Sequence, residues 1–374
     1  AMFQQVSLIA PLANMLAVPV FDLLAVPLTL SGVLLLGVLP DSWAGIFFQV
    51  AAKLMQWLWQ ALIYLADTPF SQWTQAPPPW WALLCSLAGV ALLLAPRAWP
   101  ARWLGLMWLA PLFFIKPALP ALGETWFTLL DVGQGLAAVV RTHAHTLVFD
   151  TGPRFGHFDT GDAVIEPYLR AMDVQRIDTL MISHGDNDHI GGAQSLLQAL
   201  PVVEVRSSVP EKLARAEWCR MGQHWIWDDV DFTVLNPDGD GSKRANNDSC
   251  VLRVQSRYGI ILLPADIEAQ TERKLIARYD RQLHADILVA PHHGSKTSST
   301  MEFIAAVAPR YVLFPVGYRN RYHHPHPAVL ERYVARDIVL RDSASAGALE
   351  FRLGAGGIAA KAYRAQHRRY WYSD

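Results

Sequence analysis

The sequence predicts an α/β fold, two sheets packed face to face with helices outside, preceded by an α-helical membrane region. Three observations carry this reading. Residues 1–122 hold only seven charged side chains, Asp22, Asp41, Lys53, Asp67, Arg97, Arg102 and Lys116, yet ten of the fourteen tryptophans lie at or before Trp126. Beyond that point, meandering strand patterns give way to alternating strands and helices. Within the alternating part, His184-Gly185-Asp186-Asn187-Asp188-His189 gathers two imidazoles and two carboxylates in six residues.

A chain of 374 residues should hold about two domains. The boundary is expected between a membrane part, 1–122, and a soluble part, 123–374. A net charge of −1 gives no bulk electrostatic sign of a nucleic-acid binder. The opening Ala1-Met2-Phe3-Gln4-Gln5 has no charged region or cleavage site and does not read as a signal peptide; a start partway through a larger membrane protein is expected.

In the membrane part, Val6 to Leu39 is apolar enough for one to two crossings. Pro11, Pro19 and Pro27 interrupt it, and freed carbonyls must find protein or water. Asp22 either faces a bundle interior or aqueous path, or snorkels from a kinked helix. Asp41-Ser42 can cap a helix from Trp43 to about Ala66. Its Gln49, Lys53, Gln56 and Gln60 form a polar stripe, expected at the membrane interface rather than along a pore. After a proline-rich loop, Trp80–Leu94 and Trp103–Leu119 read as two short crossings. Arg97 and Arg102 would hold the turn between them in the cytoplasm, which delivers residue 123 to the outer face.

In the soluble part, 126–132, 136–141 and 146–149 read as strands. His143 and His145 at the bend between the last two are expected to be solvated. Asp162–Met172 is a helix, and Asp178–Ser183 a buried strand running into the His/Asp loop, with a helix from Ala193 to Leu200 beyond it. Short strands at 202–206, 224–227 and 232–235 surround an expected helix near Glu211–Cys219. Strands at 250–255 and 260–263 follow, then helix 268–279, strand 287–290, helix 301–307 and strand 311–314. Helix 328–335 and strands near 338–340 and 348–353 close the pattern. The basic, aromatic tail from His367 either touches headgroups or nucleic acid, or frays.

The chemistry collects where strands end. Histidine nitrogen and carboxylate oxygen suit divalent ions such as zinc and manganese. His184, Asp186, Asp188 and His189 are one set of candidate ligands. Asp266 follows a buried strand, and the adjacent His292 and His293 end another; paired histidines rarely serve a core. Arg319, Asn320, Tyr322, His323 and His324 lie on a later loop and offer phosphate contacts and a proton donor for a leaving oxygen.

The His184-x-Asp186-x-Asp188-His189 run resembles the metallo-β-lactamase superfamily signature, with aspartate in place of its second histidine. An anionic ligand there suits harder ions, so manganese rivals zinc. The resemblance implies an αββα sandwich holding two divalent metals, bridged by Asp266, although Ala265 replaces the usual preceding glycine. It also implies that one of His292 and His293 binds the second metal and the other, with Ser295, meets phosphate; His292 is favoured as the ligand. Asp188 would bind the second metal and orient the nucleophile. The histidine normally found upstream of the bridging aspartate is missing. An Asn or Asp oxygen from Asn246-Asn247-Asp248 replaces it, with Asn247 the candidate, or the first metal keeps an open position; His224 is an alternative, read as a packing residue.

Taken together, Asp131-Val-Gly-Gln-Gly135, Asp150-Thr-Gly152, Ser183-His-Gly-Asp-Asn-Asp-His189, His292-His-Gly-Ser295 and Asn320-Arg-Tyr-His-His-Pro325 resemble the C-terminal domain of the ComEC family of DNA-internalisation competence proteins. Ser7-Leu-Ile-Ala-Pro-Leu-Ala-Asn14, with Pro19 and Pro27, is similar to the end of that family's membrane competence region. The resemblance covers nearly the whole chain and leaves the family's N-terminal half without a counterpart. It implies a bacterial inner-membrane protein that takes up DNA in natural transformation, whose periplasmic domain hydrolyses the strand that is not transported. Single-stranded DNA, membrane lipid, the family's N-terminal half and the uptake machinery are the implied partners. If the domain lies outside, Cys219 and Cys250 could pair; otherwise they are two buried thiols. Two other readings stand beside the nuclease: a metal-poor domain that grips DNA, and a tethered hydrolase of another phosphodiester.

Overall fold

Alternation along the strands builds the C-terminal part. The computed structural model describes residues 5–38, 40–68, 71–96, 99–239 and 246–368. Within these, the chain divides into two compact units, Ala1–Lys116 and Pro117–Asp374. The division falls six residues ahead of the expected boundary at 122.

The second unit contains two large sheets. The first has eight strands in the order Ala216–Trp218, Val202–Ser207, Ile177–Ile182, Thr146–Phe149, Ala138–Arg141, Thr125–Leu129, Leu349–Gly354 and Gly357–Ala362. The second has seven, in the order His224–Trp227, Val230–Asn236, Val251–Ser256, Gly259–Leu263, Ile287–Val289, Tyr311–Phe314 and Val339–Asp342. Successive residues point to opposite faces, so each sheet feeds two cores. Phe127, Leu129, Leu147 and Phe149 of the first sheet meet Phe232, Val254, Ile261 and Leu263 of the second in a central core. On the outer face of the first sheet, Val139, Val148 and Leu180 pack with Leu169 and Leu196 from the helices Glu166–Ala171 and Ala193–Ala199. On the outer face of the second, Leu262 and Leu288 pack with Leu275, Phe303 and Tyr333 from helices Ala269–Tyr279, Met301–Val307 and Pro327–Val334. The result is the four-layer αββα arrangement that the sequence implied.

Pairing direction decides where loops collect. Thr146–Phe149 runs parallel to Ile177–Ile182, with Phe149 opposite Met181. Gly259–Leu263, Ile287–Val289, Tyr311–Phe314 and Val339–Asp342 are also mutually parallel. Parallel strands end on the same side, and ligands in such sheets bind at those carboxyl ends.

Several local expectations need correction. The segment expected as a helix near Glu211–Cys219 forms one 3-10 turn, Pro210–Lys212, and then a strand, Ala216–Trp218, that extends the first sheet. Local pattern could not reveal the waiting edge of Val202–Ser207. The hairpin-tip histidines are not simply solvated: His143 Nδ1 bonds the Pro120 carbonyl at 2.8 Å. His145 Nδ1 bonds Asp228 Oδ2 at 3.0 Å and its ring stacks on Trp227. A final strand, Gly357–Ala362, has no counterpart in the sequence reading.

In the first unit, Ala10–Leu35 is one helical run, long and apolar enough to cross a membrane. A π turn, Val20–Ala25, lies between Pro19 and Pro27, which lack amide donors. Asp22 sits on that turn and is exposed on the unit. Helix Asp41–Ala66 buries Ala44, Ala51 and Leu58 on one side and leaves Gln49, Lys53, Gln56 and Gln60 exposed. Its first turn has no side-chain cap, so the expected Asp41-Ser42 cap is not formed. The two apolar helices Trp80–Leu94 and Leu104–Phe114 touch backbone to backbone: a Cβ on Gly89 would lie 2.6 Å from the Gly105 carbonyl oxygen. The second is shorter than expected. Gln5–Ser7, at the head of the expected apolar membrane run, and Gln72–Thr74, in the expected proline-rich loop, pair instead as a small antiparallel ribbon. Arg97, on which the sidedness reading leans, lies outside the described residues, as do the tail from residue 369 onward and the first four residues.

Cys219 and Cys250 form a disulfide with 6.1 Å between their Cα atoms, closing a separation of 31 residues. Cys250 also donates its backbone N–H to the Ser183 carbonyl at 2.9 Å, so the bridge backs the start of the His/Asp loop. Cross-linking a loop of that length contributes about 3–4 kcal/mol through the unfolded chain. Replacing both cysteines by serine should therefore lower the Tm of the non-reduced protein, and added reductant should shift the wild type but not the variant.

Candidate metal centre

The centre is built from three strand ends. Ile177–Ile182 leads into Ser183 and His184, then into a single helical turn, Asn187–Ile190, that carries Asp188 and His189. The turn is pressed against its neighbours where Gly192 meets Gly161; a Cβ on Gly192 would lie 2.3 Å from the Gly161 nitrogen. Asp266 follows Gly259–Leu263. Ala265 before it has φ 50°, the left-handed region that glycine enters more cheaply, which accounts for the glycine usual at this place. His292 and His293 follow Ile287–Val289, both with positive φ, in a tight turn tied to the previous loop by a His292 N–H···O=C Ala265 bond of 2.9 Å.

Hydrogen bonds on one ring nitrogen aim the other. His189 is fully buried, and its Nδ1 donates to Asp150 Oδ2 at 2.7 Å. His293 Nδ1 donates to the Pro315 carbonyl at 2.9 Å. Ser183 Oγ donates to Asp150 Oδ2 at 2.6 Å, which leaves its lone pair for His184 Nδ1 at 3.0 Å. All three histidines are thus engaged at Nδ1 and present Nε2 to one place. There His189 Nε2 lies 3.1 Å from His293 Nε2 and 3.2 Å from Asp266 Oδ1. Asp188 Oδ2 and Asp266 Oδ2 lie 3.4 and 3.5 Å from His293 Nε2.

These residues fit a divalent cation. Ligand atoms of His184, His189 and Asp266 lie within 4.8 Å of one another, and so do those of Asp188, His189 and His293. His184 Nε2 and Asp266 Oδ1 are buried with no hydrogen-bond partner, a costly state that a bound cation removes. Nitrogen and carboxylate donors without thiolate match zinc or manganese.

The electrostatics follow from crowding. Burial raises the Asp266 carboxyl, but His189 and His293 outweigh it and hold the group well below the usual carboxylate range. Burial also raises Asp188, which His293 and His189 nevertheless bring down to about 2. Burial pulls the His189 imidazole down, and the Asp266 and Asp150 carboxylates more than reverse this, leaving it well above its ordinary value. His324 goes the other way: burial and the charge on His293 and His292 lower it to about 4.

The structure does not gather every residue singled out in the sequence. His293, not the favoured His292, enters the buried cluster, because the turn directs the second ring inward. His292 keeps its Nε2 3.7 Å from Asp266 and its Nδ1 3.6 Å from Glu268 Oε1, and is partly open to the cleft. Asp186 is 63% exposed, with Oδ2 3.5 Å from His184 Nε2, and stands at the rim. Asn247 does not face the cluster. It accepts from the Glu268 backbone N–H at 3.1 Å and donates to Glu268 Oε2 at 3.3 Å, so it steadies the carboxylate beside His292. Asp248 Oδ2 is buried without a partner but belongs to neither converging group. His224 pairs with Asp231 at 2.6 Å on an edge strand.

A cleft of about 140 Å³ opens onto the cluster, lined by Asp186, Asp188, Asp266, His292, His293, Gln134, Tyr322 and His324. Ser295 and Asn320 are committed elsewhere: Ser295 Oγ lies 3.1 Å from Thr297 Oγ1, and Asn320 clasps His324 through its backbone N–H and carbonyl. Asp150, Glu268 and Gln134 were not among the sequence-derived candidates. Asp150 was legible as a carboxylate at the end of the strand adjoining the His/Asp strand, and Gln134 lies in the Asp131–Gly135 motif but carried no assigned role; Glu268 gave no local signal.

Asp150 holds His189 and Ser183 without facing the cleft. Such partners typically contribute ten- to hundredfold to metal affinity. Asp150→Asn should therefore weaken binding by about that factor, read by metal competition with a chromophoric chelator, with little change in circular dichroism.

The model for the metallo-beta-lactamase superfamily matches residues 130–317, and the competence protein model matches residues 1–100. Competence protein ComA of Neisseria gonorrhoeae is 36% identical over 99% of this chain and 51% of its own length. ComE operon protein 3 of Bacillus subtilis is 29% identical over 94% of the chain and 49% of its own length. The chain therefore spans about half the length of these relatives. Among solved structures, Igni18, a metallo hydrolase from Ignicoccus hospitalis, is 13% identical with a TM-score of 0.42, over 60% of this chain and 98% of its own. With a competence-type region ahead of a metallo-β-lactamase domain, and these relatives along nearly its whole length, the chain belongs to the ComEC family of competence proteins and, through its second unit, to the metallo-β-lactamase superfamily.

Proposed function

We propose that this chain is the membrane-anchored hydrolase half of a DNA-uptake protein, and that its second unit cleaves the DNA strand that is not transported. The observation that carries the reading is the convergence of three Nε2 atoms and two carboxylates on one buried point at the floor of a cleft. The name of one relative, Competence protein ComA, and the competence protein model over residues 1–100 support a context of DNA uptake.

His184, His189 and Asp266 would hold one metal ion, and Asp188, His189 or Asp266, and His293 a second. When bound, such ions stabilise charge on a phosphoryl oxygen and lower the pKa of water. The protein does the rest. Asp150 and Pro315 fix the ring orientations of His189 and His293. Asp188, partly open to the cleft, orients the attacking water. His324, lowered to about 4 and therefore neutral, lines the cleft and offers a ring N–H hydrogen bond to the leaving oxygen rather than the proton expected from the sequence. The Cys219–Cys250 bridge supports an oxidising location, the outer face of the inner membrane. A second reading, a domain that grips DNA with little catalysis, draws on Asp186 and Asn247 standing outside the buried cluster.

The full chain in detergent should cleave labelled single-stranded DNA with manganese or zinc and stop with chelator. Asp188→Ala combined with His189→Ala should lower the rate by at least about a hundredfold. DNA binding without cleavage under either metal would favour the gripping domain.

A further inference from the structure

A second cavity, of about 590 Å³, lies beside the metal cleft, and His324 belongs to the walls of both. The two are divided by the loop that follows strand Tyr311–Phe314. The cavity floor is apolar, with Val316, Leu330 and Leu340; its rim carries Tyr318, Arg319 and Arg341. An apolar floor with a few polar groups at the edge, at this size, is the usual make-up of a small-molecule pocket. Here the polar groups include two arginines and a tyrosine; the one carboxylate in the lining, Asp342, accepts from the Ser345 N–H and hydroxyl at 2.7 Å each.

The loop is unusual for what it leaves uncovered. Tyr318 is 67% exposed, with the Arg319 guanidinium 5.1 Å from its ring centroid. Tyr322 is 51% exposed, with the Arg321 guanidinium 4.8 Å from its ring centroid. One pair borders the second cavity and Tyr322 borders the metal cleft. Exposed aromatic rings beside arginines are the elements that hold single-stranded nucleic acid, by stacking on bases and attracting phosphates.

We propose that the 590 Å³ cavity is a nucleoside subsite, taking the base next to the phosphate seated in the metal cleft. This rests on the phosphodiesterase reading for where that phosphate sits. Tyr318 offers the stacking face, Arg319 and Arg341 neutralise the flanking phosphates, and the apolar floor receives the base. A paired base is held inside its duplex and cannot enter without unstacking. The subsite therefore makes the domain selective for single strands through shape, without reading sequence.

The test is binding of the full chain in detergent to two fluorescent strands of equal length, one of thymidines and one abasic. The strands carry the same phosphates, so the electrostatic part of binding is common to both. Wild type should prefer the thymidine strand by at least about fivefold, the low end of what one stacked base contributes. Tyr318→Ala, on an exposed loop position, should erase most of that preference, and Leu340→Trp, which fills the cavity, should do the same. Equal binding of both strands by wild type, or a preference unchanged in both variants, overturns the subsite. Hydrolysis of bis(p-nitrophenyl) phosphate, which has no base, runs in parallel: its absence in wild type would sink the phosphodiesterase reading while the binding comparison still decides the subsite.

Discussion

A histidine buried to the last atom, held at one ring nitrogen by Asp150 and facing Asp266 with the other, is the constraint on which this domain depends. An imidazole and a carboxylate so placed are expensive to bury unless their polar atoms are paired. Nδ1 of His189 is paired. On the far side, Nε2 shares a small space with His293, Asp188 and Asp266; His184 Nε2 has no hydrogen-bond partner, and Asp266 Oδ1 has only the ion-pair approach of His189 Nε2 at 3.2 Å. A divalent cation fits that arrangement. The parallel strands bring the ligands to one edge, the Gly161–Gly192 contact lets the His/Asp turn close down, and the disulfide stiffens the chain behind Ser183.

Much of this centre was legible because its residue types are rare in its kind of place. Two histidines and two aspartates after a buried strand have few uses besides metal binding, and Asp266 and the 292–293 pair repeat the position on neighbouring strands. The choice between His292 and His293 was not legible, since it depends on two successive left-handed residues that point one ring inward. Asn247 fell in the right stretch of sequence but is spent on Glu268, a contact across 21 residues that no local pattern announces. Asp150 stands in a recognisable motif, but its role exists only through the pairing of Thr146–Phe149 with Ile177–Ile182.

The fold shows the same division. Elements set by local pattern were found: the helices at 80–94, 193–199 and 301–307, and the buried strands at 177–182 and 311–314. Elements set by a distant partner were missed. Ala216–Trp218 is a strand because Val202–Ser207 offers an open edge, and Gln5–Ser7 is one because Gln72–Thr74 lies opposite. The hairpin-tip histidines looked solvated until Asp228 and Pro120 arrived from elsewhere in the chain. Family membership adds a meaning that geometry alone does not carry, because the αββα fold serves many reactions. A competence-type region on the same chain turns a general metal-dependent hydrolase into a candidate for handling DNA at a membrane.

The central claim is that the buried histidines and aspartates hold two neighbouring metal ions that share ligands. Electron paramagnetic resonance of the manganese-titrated protein tests it most directly, together with the metal content at saturation. The account predicts two manganese ions per chain and a spectrum with the extra splitting of a magnetically coupled pair. A single uncoupled ion, or none retained after desalting, would contradict it.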